Sequence, residues 1–386
     1  MDAMHYEPEL ADERTIGLLR SWHANYPEMG VLALAPEAEQ ASVGHLQRIC
    51  RDLNIPLVGA LFPALIKDGA FCSEGVWLLR FDVMPFAAIF PELPRDRDAL
   101  ALAADTIVAD LKRGLTSDQD TTLFLLFDAM VPNVGSVLDE LYLRLANRVR
   151  YMGANAGSES FQPMPCLFDA SRIVGNGVLA VLLGPHRGAT LEHGYGVPHQ
   201  MITATSTLGN RILQIDWRPA FDVYREMAMA LYGVAIDRQN FYANAVHFPF
   251  GIVRANGTTL VRIPVALEED GSLYCVGEVP ANSVLALLSA PPVDSRQTVE
   301  RICGGLAAAN GRLSGSEMLL FYCAGRRLHL GIDAAVAEIR GLAAQSGAGT
   351  IAGALSLGEV GSAVDREYPL FHNATLVASL WGRQEL

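Results

Sequence analysis

The chain has 386 residues, 51% apolar and 18% charged, with a formal net charge of −13. This composition supplies large cores and excludes wholesale disorder. So acidic a chain is a poor general binder of nucleic-acid phosphates or anionic lipid. No apolar run approaches the roughly 18–20 residues of a membrane span. The acidic opening (Asp2, Glu7, Glu9, Asp12, Glu13) does not read as a secretory leader, so a cytoplasmic protein without membrane insertion is expected. Six cysteines without a Cys-x-x-Cys pair read as reduced core thiols.

In chain order, residues 1–30 form a lead-in with one helix, Glu13–Ala24, opened by Asp12. Val31–Leu34 reads as a strand, Val43, Leu46, Ile49, Cys50 and Leu53 line one helix face, and Pro56–Leu65 carries Gly59-Ala60. Trp77–Phe81 is a strand after an acidic-Gly turn, and Asp98 sits where the next helix should be capped. The apolar run Leu123–Phe127 suits a strand buried on both faces. An amphipathic helix follows (Val137, Leu138, Leu141, Tyr142, Leu145), then a strand with Gly153-Ala154 and a closing strand, Val178–Gly184.

The middle is rich in Thr, Gly and β-branched residues. Gly209-Asn210 marks a turn, Pro219–Leu231 a helix stopped by Gly233, and Asn256-Gly257 a hairpin. Beyond it come a strand at Leu273–Val276, a helix capped by Asp294, the run Leu319–Cys323, a helix opened by Asp333, Gly353-Ala354 and Leu376–Gly382.

The last series repeats the earlier one. At a shift of 196, Glu74-Gly75 falls on Asp270-Gly271 and Leu123–Phe127 on Leu319–Cys323. After small insertions, Glu159 matches Glu359 and Leu167-Phe168 matches Leu370-Phe371. Residues 74–184 and 270–382 thus read as two copies of one unit, with a third, partial strand–helix–strand copy before them. The expected class is α/β bordering on α+β: duplicated mixed-sheet units with helices on the sheets, in two halves, 31–240 and 241–386. A shared crevice between the two copies is expected to receive ligand.

Catalytic motifs are absent. Gly175-Asn176-Gly177 is a hairpin turn rather than a dinucleotide loop, because a strand follows it. Ala354–Gly358 lacks the helix a nucleophile elbow requires. The two copies differ where one has gained polar groups. The later copy carries Arg326 and Arg327 after its central strand, where Asp128-Ala129-Met130-Val131 stands in the earlier one. It also carries His372-Asn373 in place of Asp169-Ala170. Arginine binds carboxylates through two N–H groups at once, and His-Asn supplies a donor and an acceptor. Arg326, Arg327, Glu359, His372, Asn373 and Cys323 are therefore the candidate ligand residues. Against this stand pairing of the arginines with Glu338 or Glu359 at the surface, and a buried structural thiol.

The run Phe321-x-Cys323-Ala324-Gly325-Arg326, then Gly353, Gly358-Glu359 and His372-Asn373-x-Thr375, resembles the C-terminal signature of FIST domain proteins. The earlier half resembles the FIST N-terminal region, through the Val58-Gly59 element, His193-Gly194 and Thr203 to Tyr224. Ala60 and Gly353-Ala354-Leu355 depart from the commoner family residues. The resemblance implies a sensory protein that binds a small ligand, perceived as an amino acid or similar carboxylate, and signals in trans. A histidine kinase or a cyclic-dinucleotide enzyme is the implied partner. It is also similar to stand-alone relatives that bind haem b and sense nitric oxide; His193, His199 and His247 are then the axial candidates. An enzyme with an unfamiliar site, a ligand-free scaffold and a homodimer remain open.

Overall fold

The computed structural model describes residues 2–10, 12–115, 120–288, 295–362 and 368–381. Its first unit runs β1 (Met4–Glu7), α1 (Asp12–Asn25), β2 (Gly30–Pro36), α2 (Val43–Asp52), β3 (Leu57–Phe62), β4 (Ala64–Lys67), β5 (Ala70–Cys72) and β6 (Val76–Phe81). The second runs β7 (Ala87–Phe90), α3 (Arg97–Gly114), β8 (Thr122–Asp128), α4 (Val134–Leu145), β9 (Arg150–Ala156), β10 (Leu167–Asp169), β11 (Ile173–Val174) and β12 (Val178–Leu183).

The third unit opens with β13 (Thr190–Glu192) and is then interrupted. The insert comprises β14 (Ile202–Ala204), β15 (Ser206–Leu208), β16 (Arg211–Ile215), β17 (Arg218–Pro219), α5 (Ala220–Tyr232), α6 (Phe241–Ala245), β18 (Phe250–Val253), β19 (Thr259–Arg262), β20 (Pro264–Leu267), β21 (Leu273–Cys275) and β22 (Ser283–Leu287). The unit resumes with α7 (Ser295–Asn310), β23 (Glu317–Cys323), α8 (Ala324–Leu330), α9 (Ile332–Ser346), β24 (Thr350–Ser356), β25 (Glu359–Gly361), β26 (Leu370–His372) and β27 (Leu376–Trp381).

Three six-stranded sheets have one plan: β1-β6-β2-β3-β10-β11, β7-β12-β8-β9-β25-β26 and β13-β27-β23-β24-β4-β5. In each, a parallel pair joined through a helix is flanked by an antiparallel return strand. The final hairpin of every sheet comes from another unit. The first unit lends β4-β5 to the third, the second lends β10-β11 to the first, and the third lends β25-β26 to the second. The exchange closes a ring, so no sheet is complete within its own segment. An incomplete sheet would expose an unpaired edge.

The mixed sheets with packed helices follow from the near-continuous apolar strands, which bury both faces. On the inner side the sheets share one core in which the Phe321 ring lies 5.6 Å from Phe62 and 6.0 Å from Phe124. On the outer side α3 and α4 cover the second sheet and α7 and α9 the third. Gly59, Gly153 and Gly353 occupy one place in the three units. A Cβ there would lie 2.4, 1.9 and 2.3 Å from a carbonyl oxygen of the adjacent parallel strand, which no larger residue tolerates without a backbone shift.

The structure corrects the expected repeat in several places. The early copy is a complete unit, and β6 and β21 are not equivalents: β6 is central to the first sheet, whereas β21 belongs to the insert. Thr122 pairs with Arg150 and Leu183, and Glu317 with Thr350 and Trp381, so the shift over these strands is 195. The Arg97–Gly114 helix is capped by Asp96, whose carboxylate accepts the N–H groups of Asp98 and Ala99. Ala324–Arg327, which reads from the sequence as the loop after the central strand, lies instead within α8, and α9 has Gly331 rather than Asp333 at its cap. The expected cap at Asp294 lies outside the described residues. The shared inner faces are packed core, and the cavity that residues of both copies line opens at the strand ends.

Candidate functional site

At the carboxyl end of β23, a cavity of about 300 Å³ opens where three regions meet. The third unit supplies Cys323, Ala324, Gly325, Leu328, Leu357 and Asn373. The insert supplies Tyr242, Val246, His247, Ile263, Val265 and Val276, and the second unit Glu159 and Phe161. The ends of parallel strands are common ligand positions in α/β layers.

Local sequence explains the convergence. Gly325 opens α8, and a Cβ there would lie 2.4 Å from Ile263 Cδ1, so its absence lets the insert close on the helix. The roof comes from residues 157–166, the ten-residue link between β9 and β10. The corresponding links in the other units are Pro63 and Leu357-Gly358. Arg327 pairs with Glu159 and lies over the Phe71 ring at 5.3 Å, fastening this roof to α8.

Beneath the cavity lies a buried polar network. Cys323 Sγ accepts the Ala374 N–H at 3.1 Å, and burial pushes the thiol pKa up. Glu359 is fully buried; Ser356 Oγ donates to it at 2.5 Å and Thr375 Oγ1 also donates. Burial raises its pKa to about 7, against the pull of those hydroxyls. His372 stands opposite Glu359 across the hairpin. Burial and then Arg262 lower its pKa to about 3, and neither ring nitrogen has a hydrogen-bond partner. Asn373 Nδ2 donates to His372 O at 3.1 Å, whereas its Oδ1 is unpartnered.

Arg326 takes the second of its two expected roles, pairing with Glu338, but in the core rather than at the surface. It is fully buried, with Nε and Nη2 donating to Glu338 at 2.8 and 2.6 Å. Nη1 donates to the carbonyls of His193 and Ala374, and Tyr322 Oη donates to the same Glu338 at 2.8 Å. Burial alone would lower its pKa, but Glu338 more than reverses this. Its donors are engaged, so Arg326 ties α8, α9 and the His193 segment together rather than offering its charge to a ligand.

The three expected haem ligands are dispersed. His199 is exposed. His193 Nδ1 accepts the Tyr195 N–H at 3.0 Å, and burial, then Arg326 and Arg301, lower its pKa to about 4. Only His247 of the three lines the cavity. Among the described residues no Lys or Arg lines it, so propionates would face apolar walls and Glu159. The described lining of this cavity offers a haem one histidine and no cation for its propionates. Among the described residues no group of three His, Cys, Asp or Glu is placed to hold a metal ion.

Sequence reasoning missed His329, Tyr195 and the roof. His329 is buried with both ring nitrogens unpartnered, 5.4 Å from the His247 ring and 5.2 Å from Tyr195, whose hydroxyl is also unpartnered. Reading residues 324–330 as helix would have placed His329 three positions beyond Arg326, on a shared face. The true counterparts also follow from register: Leu65 faces Cys72, Leu167 faces Val174 and Glu359 faces His372. His372-Asn373 therefore corresponds to Val174-Gly175, and Glu359 to Leu167 rather than Glu159.

Among the described residues no helix is long and apolar enough to cross a membrane. No curated protein matches the chain. The FIST N domain model matches residues 29–218 and the FIST C domain model residues 220–362. With both domains present in order over most of its length, the chain belongs to the FIST family of signal-transduction sensory domains.

Proposed function

We propose that this chain is a small-ligand sensor whose ligand occupies the cavity at the end of β23 and whose signal passes in trans to a signalling enzyme. The observation that carries the reading is Asn373 Oδ1, buried and unpartnered in a residue lining that cavity. An unsatisfied buried acceptor costs about 1–3 kcal/mol, which a ligand donor recovers. Membership of a sensory family supports the same reading. A molecule bridging insert, third unit and roof favours the arrangement in which all three touch it, and that difference in affinity is the switch. A histidine kinase or cyclic-dinucleotide enzyme is the proposed receiver.

The ligand carboxylate expected at Arg326 has no free guanidinium there. Cys323 is held as a thiol, which supports binding over nucleophilic chemistry. The test is a thermal-shift screen of small metabolites against the parent chain and Leu328→Trp, which fills the cavity mouth. A ligand at one hundred times its Kd should stabilise the parent by about 2.7 kcal/mol and leave Leu328→Trp unchanged. Equal shifts in both proteins, or none in either, contradict the reading.

A further inference from the structure

We infer that the cavity selects an uncharged, mainly apolar molecule carrying one N–H or O–H donor, which bonds to Asn373 Oδ1. The inference rests on the sensor reading and names the ligand class of that same site.

Charge comes first. Among the described residues the lining holds no Lys or Arg, so a buried anion would lose its hydration without a fixed counter-ion there. The lining carboxylate, Glu159, is paired with Arg327, so a ligand cation has no vacant partner there. Val246, Ile263, Val265, Val276 and Leu357 provide apolar wall.

Polarity fixes the rest. Asn373 is 1% exposed, and its Nδ2 is engaged by His372 O. Turning the amide over would set two oxygens against each other, so Oδ1 is the end left for a ligand, and it can only accept. Cys323 Sγ is already an acceptor for the Ala374 N–H. A ligand that satisfies Oδ1 therefore brings the donor, while Tyr242 and His247 in the lining can meet its other polar atoms. A volume of about 300 Å³ suits one fused ring system.

The experiment uses the full chain and three probes by isothermal titration: indole, benzothiophene and indole-3-acetate. Benzothiophene keeps the ring shape but replaces N–H by sulfur; indole-3-acetate adds a carboxylate. Indole should bind about tenfold or more tightly than benzothiophene, the value of one hydrogen bond to a buried acceptor. Indole-3-acetate should bind more weakly than either. Asn373→Leu should erase the preference between indole and benzothiophene, and Leu328→Trp should abolish binding of both. The parent-chain preference needs no variant, so the inference stays testable if Asn373→Leu fails to fold. Equal binding of indole and benzothiophene overturns the donor requirement. Tighter binding of indole-3-acetate, or of amino acids, that is lost in Leu328→Trp overturns the ligand class while leaving the sensor intact. No binding of any probe, with no metabolite in the thermal-shift screen distinguishing parent from Leu328→Trp, overturns both.

Discussion

The second and third units share a scaffold but differ at equivalent cross-strand positions. Where the second pairs Leu167 with Val174, the third pairs a fully buried Glu359 with His372. Where the second ends its central strand with Asp128, whose carboxylate accepts the Met130 N–H at 2.8 Å and the Asn176 N–H at 2.6 Å, the third has Cys323. The second unit's apolar pair is a structural solution that works. The polar replacement in the third costs desolvation without improving packing, and it lies directly beneath the cavity. Apolar-to-polar exchange at fixed backbone geometry is where this molecule has put stability at the disposal of a site.

The contrast can be broken most severely at Arg326, whose counterpart is the buried apolar Val131. Arg326→Ala leaves Glu338 charged and buried and should cost about 3–5 kcal/mol in urea unfolding. Arg326→Met with Glu338→Leu should recover most of that loss.

Next in size is Glu359. Its folded pKa of about 7 lies above the ordinary glutamate value of 4.5, so the folded state binds the extra proton. The stability it contributes is full below about pH 4.5 and is lost as pH rises through 7. Glu359→Gln should therefore exceed the parent in stability above pH 7 by up to roughly 3 kcal/mol, with the advantage gone by pH 4.5. The buried histidines oppose this in the parent: His186, His193 and His329, lowered to about 4, and His372, lowered to about 3, each lose stabilisation as pH falls below 6.5. Thermal melts from pH 4.5 to 8 read both slopes.

Smaller still is the exchange at the strand end. Asp128→Ala strands two N–H groups and should cost about 2 kcal/mol, against about 1 kcal/mol for Cys323→Ala. The smallest stability effect belongs to Arg327→Ala. Its pair with Glu159 is partly exposed and should be worth no more than about 1 kcal/mol. Its loss should instead accelerate ligand release by loosening the roof, measured by stopped flow.

Much of the scaffold was legible because its signals are local. Near-continuous apolar runs marked β8 and β23, and Gly59, Gly153 and Gly353 marked the three equivalent crossings. Continuous runs carry no alternation to lock register, and the resulting one-residue slip misaligned the loop beyond β23. The exchanged hairpins were illegible because β4 finds β24 nearly three hundred residues away. Asn373 was recognisable as a polar gain, but its proper counterpart, Gly175, required strand pairing. Arg326 was recognisable as a charge and Glu338 as one of its two possible partners, whereas the burial of that pair, expected at the surface, followed only from residues 324–330 folding as α8.

The most direct test follows isoleucine methyl resonances of the full chain during titration with indole. Ile263 lines the cavity, and Ile89 lies in β7 of the second unit. The account predicts a saturable shift of Ile263 that Leu328→Trp abolishes, with Ile89 unmoved. Saturable binding that leaves Ile263 in place and moves Ile89 would contradict it.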